Sequence, residues 1–219
     1  MQRPEDDQRI SRQKTETSAA NFLPSKITYE ALVKASEGCK GCELYKFATQ
    51  TVFGEGATDA SLILVGEQPG NEEDLAGHPF VGPAGKLLDK ALAEAGIPRD
   101  EVYVTNAVKH FKFEERGKRR LHKQPSARNI KACRPWLEAE IELIKPEAVI
   151  CLGSTAAKSL LGPSFALTKH LGEWQTGPGN IKILATYHPS AALRAPDHDQ
   201  REALYKAIVS DLKKAAKLL

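Results

Sequence analysis

Four short, largely apolar runs separated by helix-like segments constrain this chain more than any other feature. The runs lie at 61–65, 102–104, 148–152 and 181–185. A continuous apolar run of this length is typical of a strand that is buried on both faces of a sheet. Strands that alternate with helices in this way predict a single α/β domain, in which a four-stranded parallel central sheet is flanked by helices.

The helices are predicted from apolar residues that recur at steps of three and four. Predicted helices span 29–35, 84–95, 154–161 and 200–218, and a longer one reaches residue 144 with Ser126 as its N-cap. Residues 1–26 are polar and charged without periodicity, and we predict a flexible N-terminal leader there. A chain of 219 residues is expected to build one core, so residues 27–219 are predicted to form one domain.

Distinctive motifs follow each predicted strand. Gly66-Glu-Gln-Pro-Gly70 follows the first strand, Asn106 the second, Cys151-Leu-Gly153 the third and His188-Pro-Ser190 the fourth. In open α/β sheets, ligands bind at the carboxyl ends of the strands. We therefore expect the four segments to converge on one site.

The residues of this edge have functional and structural interpretations. Glu67 is a candidate site carboxylate, and the amides of Gln68 and its neighbours could hold a carbonyl, although such a turn also forms for structural reasons alone. Phe80 could stack on a planar base or fill the core. Asn106 could pair with a pyrimidine edge through both sides of its amide, or cap a turn. His188 could stabilise negative charge on a pyrimidine oxygen, or be a structural histidine.

A strongly basic segment lies between Lys109 and Arg134. It contains ten Lys or Arg residues against Glu114 and Glu115, a local balance of +8 in a chain whose net charge is +3. Two phenylalanines, two histidines and the breakers Gly and Pro interrupt it. This mixture favours a surface loop that contacts phosphates over a plain solvated helix face.

The four cysteines are Cys39, Cys42, Cys133 and Cys151. The first two form a CxxC pair, a spacing that lets two thiolates bind one metal centre. Zinc, an iron–sulfur cluster, a redox pair and buried thiols all remain open, because spacing does not separate a four-cysteine zinc site from a [4Fe–4S] cluster. No apolar run approaches the ~20 residues that cross a bilayer, and residues 1–18 lack the apolar core of a secretion signal. We expect a cytoplasmic protein without disulfides.

Four segments in fixed order carry a specific resemblance. They are GEQPG (66–70), HPFVGPAG (78–85), TNAVKHF (105–111) and YHPSAALR (187–194). Together with the four cysteines they resemble the iron–sulfur uracil-DNA glycosylases related to family 4, over residues 29–218. The family usually has alanine where Gln68 stands. Gln68 and the segment KRRLH (118–122) resemble instead the UdgX type, whose loop typically reads KRRIH, so Leu121 is a conservative departure.

The resemblance implies a fold, a cofactor and a binding pocket. The fold would be uracil-DNA glycosylase-like, and a [4Fe–4S] cluster would be held by Cys39, Cys42, Cys133 and Cys151. Phe80 would stack on an extruded uracil, Gln68 and Asn106 would contact it, and His188 would assist its departure. Lys118 would contact the DNA, and Arg119 and Arg120 would pin the loop or clamp phosphates. Arg194 would enter the DNA groove near the flipped nucleotide, or be an exposed surface arginine.

The UdgX type differs from an ordinary glycosylase in what happens to the sugar. The resemblance implies that His122 attacks C1′ after the base leaves and stays bonded to it, and Glu67 is the candidate partner that fixes its tautomer. The expected partners are uracil-containing DNA, above all single-stranded DNA, and free uracil as product. We expect a monomer that is associated with the nucleoid when bound to DNA and makes no contact with a membrane.

Two other functions compete with this interpretation. A conventional family-4-like glycosylase would release free abasic DNA and turn over. A non-catalytic DNA-binding module would use the basic segment and a structural metal, with strong salt dependence and no preference for uracil. A zinc hydrolase is less favoured, because four cysteines would leave the metal no open position.

Overall fold

Eight strands form two sheets in the computed structural model, which describes residues 17–219. The strands are β1 (Glu55–Gly56), β2 (Leu62–Gly66), β3 (Tyr103–Asn106), β4 (Phe113–Arg116), β5 (Arg119–His122), β6 (Ala148–Leu152), β7 (Trp174–Thr176) and β8 (Lys182–Thr186). The larger sheet has the order β1-β3-β2-β6-β8-β7. Its four inner strands are parallel, while the edge strands β1 and β7 are antiparallel to their neighbours.

The predicted α/β fold with four central parallel strands is therefore confirmed. Strands β2 and β6 are buried along their whole length because each has a neighbour on both sides and helices on both faces. The edge strands were not predicted, since β1 has two residues and β7 has three, and both are largely solvent-accessible. The second sheet, the β4–β5 hairpin, lies in the predicted basic loop.

The residues that the structure describes form seven α-helices. They are α1 (Tyr29–Glu37), α2 (Asn71–Ala76), α3 (Pro83–Ala95), α4 (Ala127–Ile144), α5 (Ser154–Leu161), α6 (Pro189–Leu193) and α7 (His198–Ala216). Successive strand residues point to opposite faces. One face packs against α3 and α7, and the other packs against α4 and α5.

The predicted helices are confirmed, with ends that shift by a few residues. Ser126 caps α4 as predicted, and it forms a capping box with Asn129, whose side chain accepts from the Ser126 main chain. The short helices α2 and α6 were not predicted, because five or six residues are too few to show periodicity. No helix among residues 17–219 is long and apolar enough to cross a membrane.

The segment predicted as a leader includes residues that pack against the domain. Ser18 caps a short 3₁₀ helix at Ala19–Phe22, and Ala19 is fully buried in a cluster formed with α1, α4 and three of the cysteines. Part of the segment therefore belongs to the domain core. Residues 1–16, where the rest of that prediction falls, lie outside the described residues.

Candidate active site

A cavity of about 380 Å³ opens at the carboxyl ends of β2, β3, β6 and β8. This volume lies within the usual range for small-ligand pockets. Its lining includes residues from all four motifs that follow the strands, and also from the hairpin: Glu67, Gln68, Phe80, Asn106, His122, Gly153, Thr155, His188 and Arg194. The predicted convergence of these segments on one sheet edge is confirmed.

Asn106 and Phe80 meet over a glycine at the end of β2. A Cβ atom on Gly66 would collide with the Asn106 Oδ1 atom and would stand 2.7 Å from the Phe80 ring. Both side chains are buried, and no hydrogen bond joins the Asn106 side-chain amide to any residue within 17–219. The amide thus keeps its donor and its acceptor free for a ligand.

Phe80 is held in an unusual backbone conformation. Its φ is +59°, a left-handed value that costs a non-glycine residue of order 1 kcal/mol or more. Gly85 allows this turn, since a Cβ there would collide with the Phe80 carbonyl. The buried Glu73 carboxylate also accepts from the Gly82 N–H at 2.9 Å. These contacts fix the ring, whose centroid lies 6.3 Å from that of His188 with 26° between the planes.

His188 has a defined tautomer when it is neutral. Its Nδ1 atom accepts from the Ser190 main-chain N–H at 3.1 Å, so the proton of a neutral imidazole lies on Nε2. Burial lowers the pKa of His188 to about 4, although the charge of Glu67 opposes this shift. At neutral pH the ring is therefore an uncharged donor at the cavity.

Glu67 and His122 meet across the cavity. The His122 Nε2 atom lies 3.3 Å from the Glu67 Oε1 atom, while Thr155 donates its hydroxyl hydrogen to Oε2. Burial alone would raise the pKa of Glu67, but hydrogen bonds from His122 and Thr155 outweigh it and hold the pKa below its usual range. The predicted partners are thus adjacent, with an ionised carboxylate facing a half-exposed imidazole.

The Gln68 side chain faces the hairpin rather than the cavity. Its Nε2 atom donates to the carbonyls of Lys112 and Lys123, both at 3.1 Å, and its Oε1 atom accepts from the Lys112 N–H at 3.2 Å. These two residues flank the β4–β5 hairpin. The side-chain amide is therefore engaged within the fold, and the contact of Gln68 with uracil stays a prediction.

Arg120 anchors the hairpin. Its guanidinium pairs with the buried Asp74 carboxylate at 2.6 Å and also donates to the Asn71 side chain at 2.8 Å. It lies over the rings of Phe111 and Phe113, at 5.6 and 5.0 Å from their centroids. Of its two predicted roles, pinning the loop and clamping phosphates, this arrangement fits the first, because the Arg120 charge is paired with Asp74 within the fold.

The three other residues predicted to contact DNA are solvent-exposed. Lys118 and Arg119 are exposed at the turn of the hairpin, and the exposed Arg194 borders the cavity. Lys109, by contrast, is fully buried although it belongs to the basic segment. Its ammonium group pairs with Glu140 at 2.5 Å and donates to the Asn106 carbonyl at 2.9 Å, so it fixes the end of β3 instead of contacting DNA.

Three of the four cysteines share one buried cluster. Cys39, Cys42 and Cys133 pack with Trp136 beside α1 and α4, and two of their sulfur atoms accept hydrogen bonds. The Trp136 ring N–H donates to Cys39 Sγ at 3.3 Å, and the Lys109 main-chain N–H donates to Cys133 Sγ at 3.2 Å. Buried thiols with N–H donors suit an iron–sulfur cluster in residue type.

Cys151 does not join the other three. It lies in β6 and belongs to the cluster on the sheet face that packs against α4 and α5. Burial alone raises the pKa of Cys151 to about 12. Burial also raises the pKa of Cys133 to about 12, and the nearby Cys42 and Cys39 contribute to that increase. Within residues 17–219, no three Cys, His, Asp or Glu side chains converge closely enough to bind one metal ion as they stand. The predicted four-cysteine set is not assembled.

Sequence reasoning missed two residues that line the site, Thr155 and Gln124. They form a hydrogen bond at 3.1 Å beside Glu67. The other site residues were predicted from their positions directly after strands. Thr155 follows the end of the third strand by three positions, and Gln124 carried no comparable signal.

Comparison with known proteins identifies the class. The sequence pattern of the Uracil DNA glycosylase superfamily matches residues 53–213, and the chain belongs to this superfamily. It is 38% identical over 188 residues to the type-4 uracil-DNA glycosylase of Sulfurisphaera tokodaii, covering 82% of this chain and 80% of that protein. With the type-4 uracil-DNA glycosylase of Thermotoga maritima it shares 37% identity over 178 residues, covering 81% and 87%. The type-5 enzyme of Pyrobaculum aerophilum is 30% identical, with 76% of each chain covered.

Proposed function

We propose that the protein excises uracil from DNA and then becomes covalently linked, through His122, to C1′ of the abasic site. Membership of the uracil-DNA glycosylase superfamily supports the first step. The second rests on one observation: a hairpin histidine lines the base-sized cavity with its Nε2 atom 3.3 Å from the Glu67 carboxylate.

Excision uses the buried wall of the cavity. A uracil extruded from the DNA would lie against Phe80 and pair with the free amide of Asn106, and single-stranded DNA removes the cost of unpairing the base. As the bond between C1′ and the base breaks, its electron pair moves onto the uracil ring. The Nε2–H of neutral His188 donates to the oxygen where this charge develops. The products are free uracil and an electron-poor sugar.

Trapping uses the hairpin. The cation left at C1′ accepts the lone pair of a neutral His122 imidazole, which forms a carbon–nitrogen bond and makes the ring an imidazolium. Glu67 stabilises this positive charge and can take up the ring N–H proton. Because the carboxylate already faces the imidazole, no rearrangement of Glu67 is needed.

A conventional glycosylase is the second candidate. The type-4 enzymes among its relatives favour it, as does the 48% exposure of the His122 side chain, which leaves space for water. In that case Glu67 would orient a water molecule toward C1′, and the product would be free abasic DNA. Both candidates share the excision step.

We also propose an iron–sulfur cluster at the three-cysteine cluster, since its donor set fits one in residue type. Cys39, Cys42 and Cys133 would hold it, because they share one buried cluster that does not include Cys151. The cluster would order the loops that border the DNA surface. Iron and sulfide content test this: Cys133→Ala should lose both, while Cys151→Ala should keep them. Loss of iron and sulfide in Cys151→Ala, with normal content in Cys133→Ala, would contradict this proposal.

A denaturing gel tests the proposed function. The protein is incubated with a uracil-containing single-stranded oligonucleotide, then heated in denaturant. We expect a slower-migrating protein–DNA band with wild type and none with His122→Ser, which should still produce abasic DNA. Free abasic DNA and repeated turnover by wild type would support the conventional candidate. A cross-link in His122→Ser would show that the nucleophile is another residue.

A further inference from the structure

The two carboxylate oxygens of Glu67 have separate partners. Oε1 faces His122, and Oε2 accepts the hydroxyl hydrogen of Thr155. Thr155 is buried, with 3% of its surface exposed, and it lies in the first turn of α5 directly after the β6 edge of the cavity. A rigid helix therefore fixes one oxygen of the carboxylate, which determines where the other oxygen points.

The Thr155 hydroxyl is itself oriented by the hairpin exit. The Gln124 side-chain N–H donates to it at 3.1 Å, and Gln124 lies two residues after His122. A hydroxyl has one hydrogen to donate, and an amide N–H can only donate. With Gln124 occupying a lone pair, the hydroxyl hydrogen is directed at Glu67. The segment that carries His122 therefore also orients the Thr155 hydroxyl, which in turn holds the Glu67 carboxylate.

We propose that Thr155 is a positioning residue for the trapping step, holding Glu67 so that its free oxygen stays against His122. This inference rests on the proposed function. Without the hydroxyl, Glu67 could rotate about its side-chain bonds and would lose one of the donors that keep it ionised. The imidazolium formed in trapping would then be less well stabilised, and water would compete better for C1′. Excision itself, which uses Phe80, Asn106 and His188, would change less.

Single-turnover reactions with the uracil oligonucleotide test this by the partition of product. The fraction of excised sites that end in a cross-link is compared between wild type, Thr155→Val and Thr155→Ser. Valine keeps the shape and removes the hydroxyl, so we expect the ratio of cross-linked to free abasic DNA to fall roughly tenfold or more, the value of one hydrogen bond to a charged group. Serine restores the donor and should recover the ratio to within about threefold.

Two further variants distinguish a positioning role of Thr155 from a general loss of stability in α5. Ser159→Ala removes another buried hydroxyl from α5, one that donates to the Ala156 carbonyl and does not line the cavity, and it should leave the ratio unchanged. Gln124→Ala acts at an exposed position and should lower the ratio in the same direction as valine, by less.

The outcomes separate this inference from the proposed function. A wild-type ratio in Thr155→Val, or a loss that serine does not recover, would overturn the role of Thr155 while wild type still cross-links. A wild type that yields only free abasic DNA would overturn the proposed function, and the inference with it.

Discussion

The two sides of the cavity are built in different ways. One side is the edge of the parallel sheet, where Asn106 and Phe80 are buried and the His188 ring has a defined tautomer. The other is the β4–β5 hairpin, a separate two-stranded sheet whose residues are mostly exposed and whose attachment depends on Gln68 and Arg120. The sheet edge cannot move without disrupting the core, whereas the hairpin can be loosened by losing a few polar contacts.

This difference indicates that, in the proposed mechanism, recognition of the base is separable from capture of the sugar. Residues of the sheet edge should control whether uracil leaves at all. Residues that fix the hairpin should control only what happens to C1′ afterwards. Substitutions at the sheet edge should therefore change the release of uracil, and substitutions at the hairpin should change the fate of C1′.

The largest effect is expected from the sheet edge. His188→Asn or Asn106→Ala removes a group that is proposed to contact uracil, and we expect excision to slow by roughly 100- to 1000-fold, as for other losses of a preorganised donor. Single-turnover release of uracil measures this. Cross-linking should fall in parallel, because it needs the excised product. A variant that cross-links at the normal rate without excising would refute the division.

The pH dependence of stability should report on the burial of His188. The pKa of His188 falls from an ordinary 6.5 to about 4 on folding, so the unfolded chain binds a proton that the folded chain does not bind between these values. Stability therefore falls as the pH drops from 6.5 to 4, by up to about 3 kcal/mol from this residue. Urea unfolding at several pH values should show a shallower loss in His188→Asn. An unchanged profile in that variant would contradict the buried, neutral state of the ring.

A smaller effect is expected at the hairpin attachment. Gln68→Ala removes three hydrogen bonds to the main chain of Lys112 and Lys123, so the hairpin should sample positions in which His122 is too far from C1′. We expect the ratio of cross-linked to free abasic DNA to fall roughly tenfold, while uracil release stays within about threefold. Arg116→Ala, an exposed hairpin substitution, is the control. Equal loss of both activities would place Gln68 in base recognition instead.

The smallest effect concerns DNA affinity. Replacing both Lys118 and Arg119 with alanine should weaken binding to single-stranded DNA a few-fold and reduce the salt slope by about 1.4, since each phosphate contact contributes about 0.7. Arg120→Ala should leave that slope nearly unchanged, because its charge is paired with Asp74. Titrations at several salt concentrations measure this. If Arg120→Ala reduced the salt slope by about 0.7, the value of one phosphate contact, then the Arg120–Asp74 pair would have to open when DNA binds.

Much of the sheet edge could be predicted from the sequence, because local patterns determine it. Apolar runs marked the inner strands, Ser126 marked the start of α4, and the residues after each strand had to meet at one edge. The hairpin contacts were different. The partners of Gln68 and Arg120 come from segments that are remote in sequence, and nothing local shows which way either side chain turns.

The cysteines illustrate the same limit. All four are buried, but Cys151 packs in the cluster on one face of the sheet, whereas the CxxC pair and Cys133 pack in a different cluster. Spacing along the chain gives no information on which cluster a cysteine joins. Equally, the count of basic residues between Lys109 and Arg134 did not reveal that Lys109 is buried against Glu140.

Mass spectrometry of the trapped product tests the central claim most directly. After reaction with uracil-containing single-stranded DNA, the protein is digested with nuclease and protease, and the modified peptide is sequenced. We predict a deoxyribose adduct on the imidazole of His122. An adduct on a neighbouring lysine, or an unmodified His122 peptide beside free abasic DNA, would contradict capture of the sugar by the hairpin.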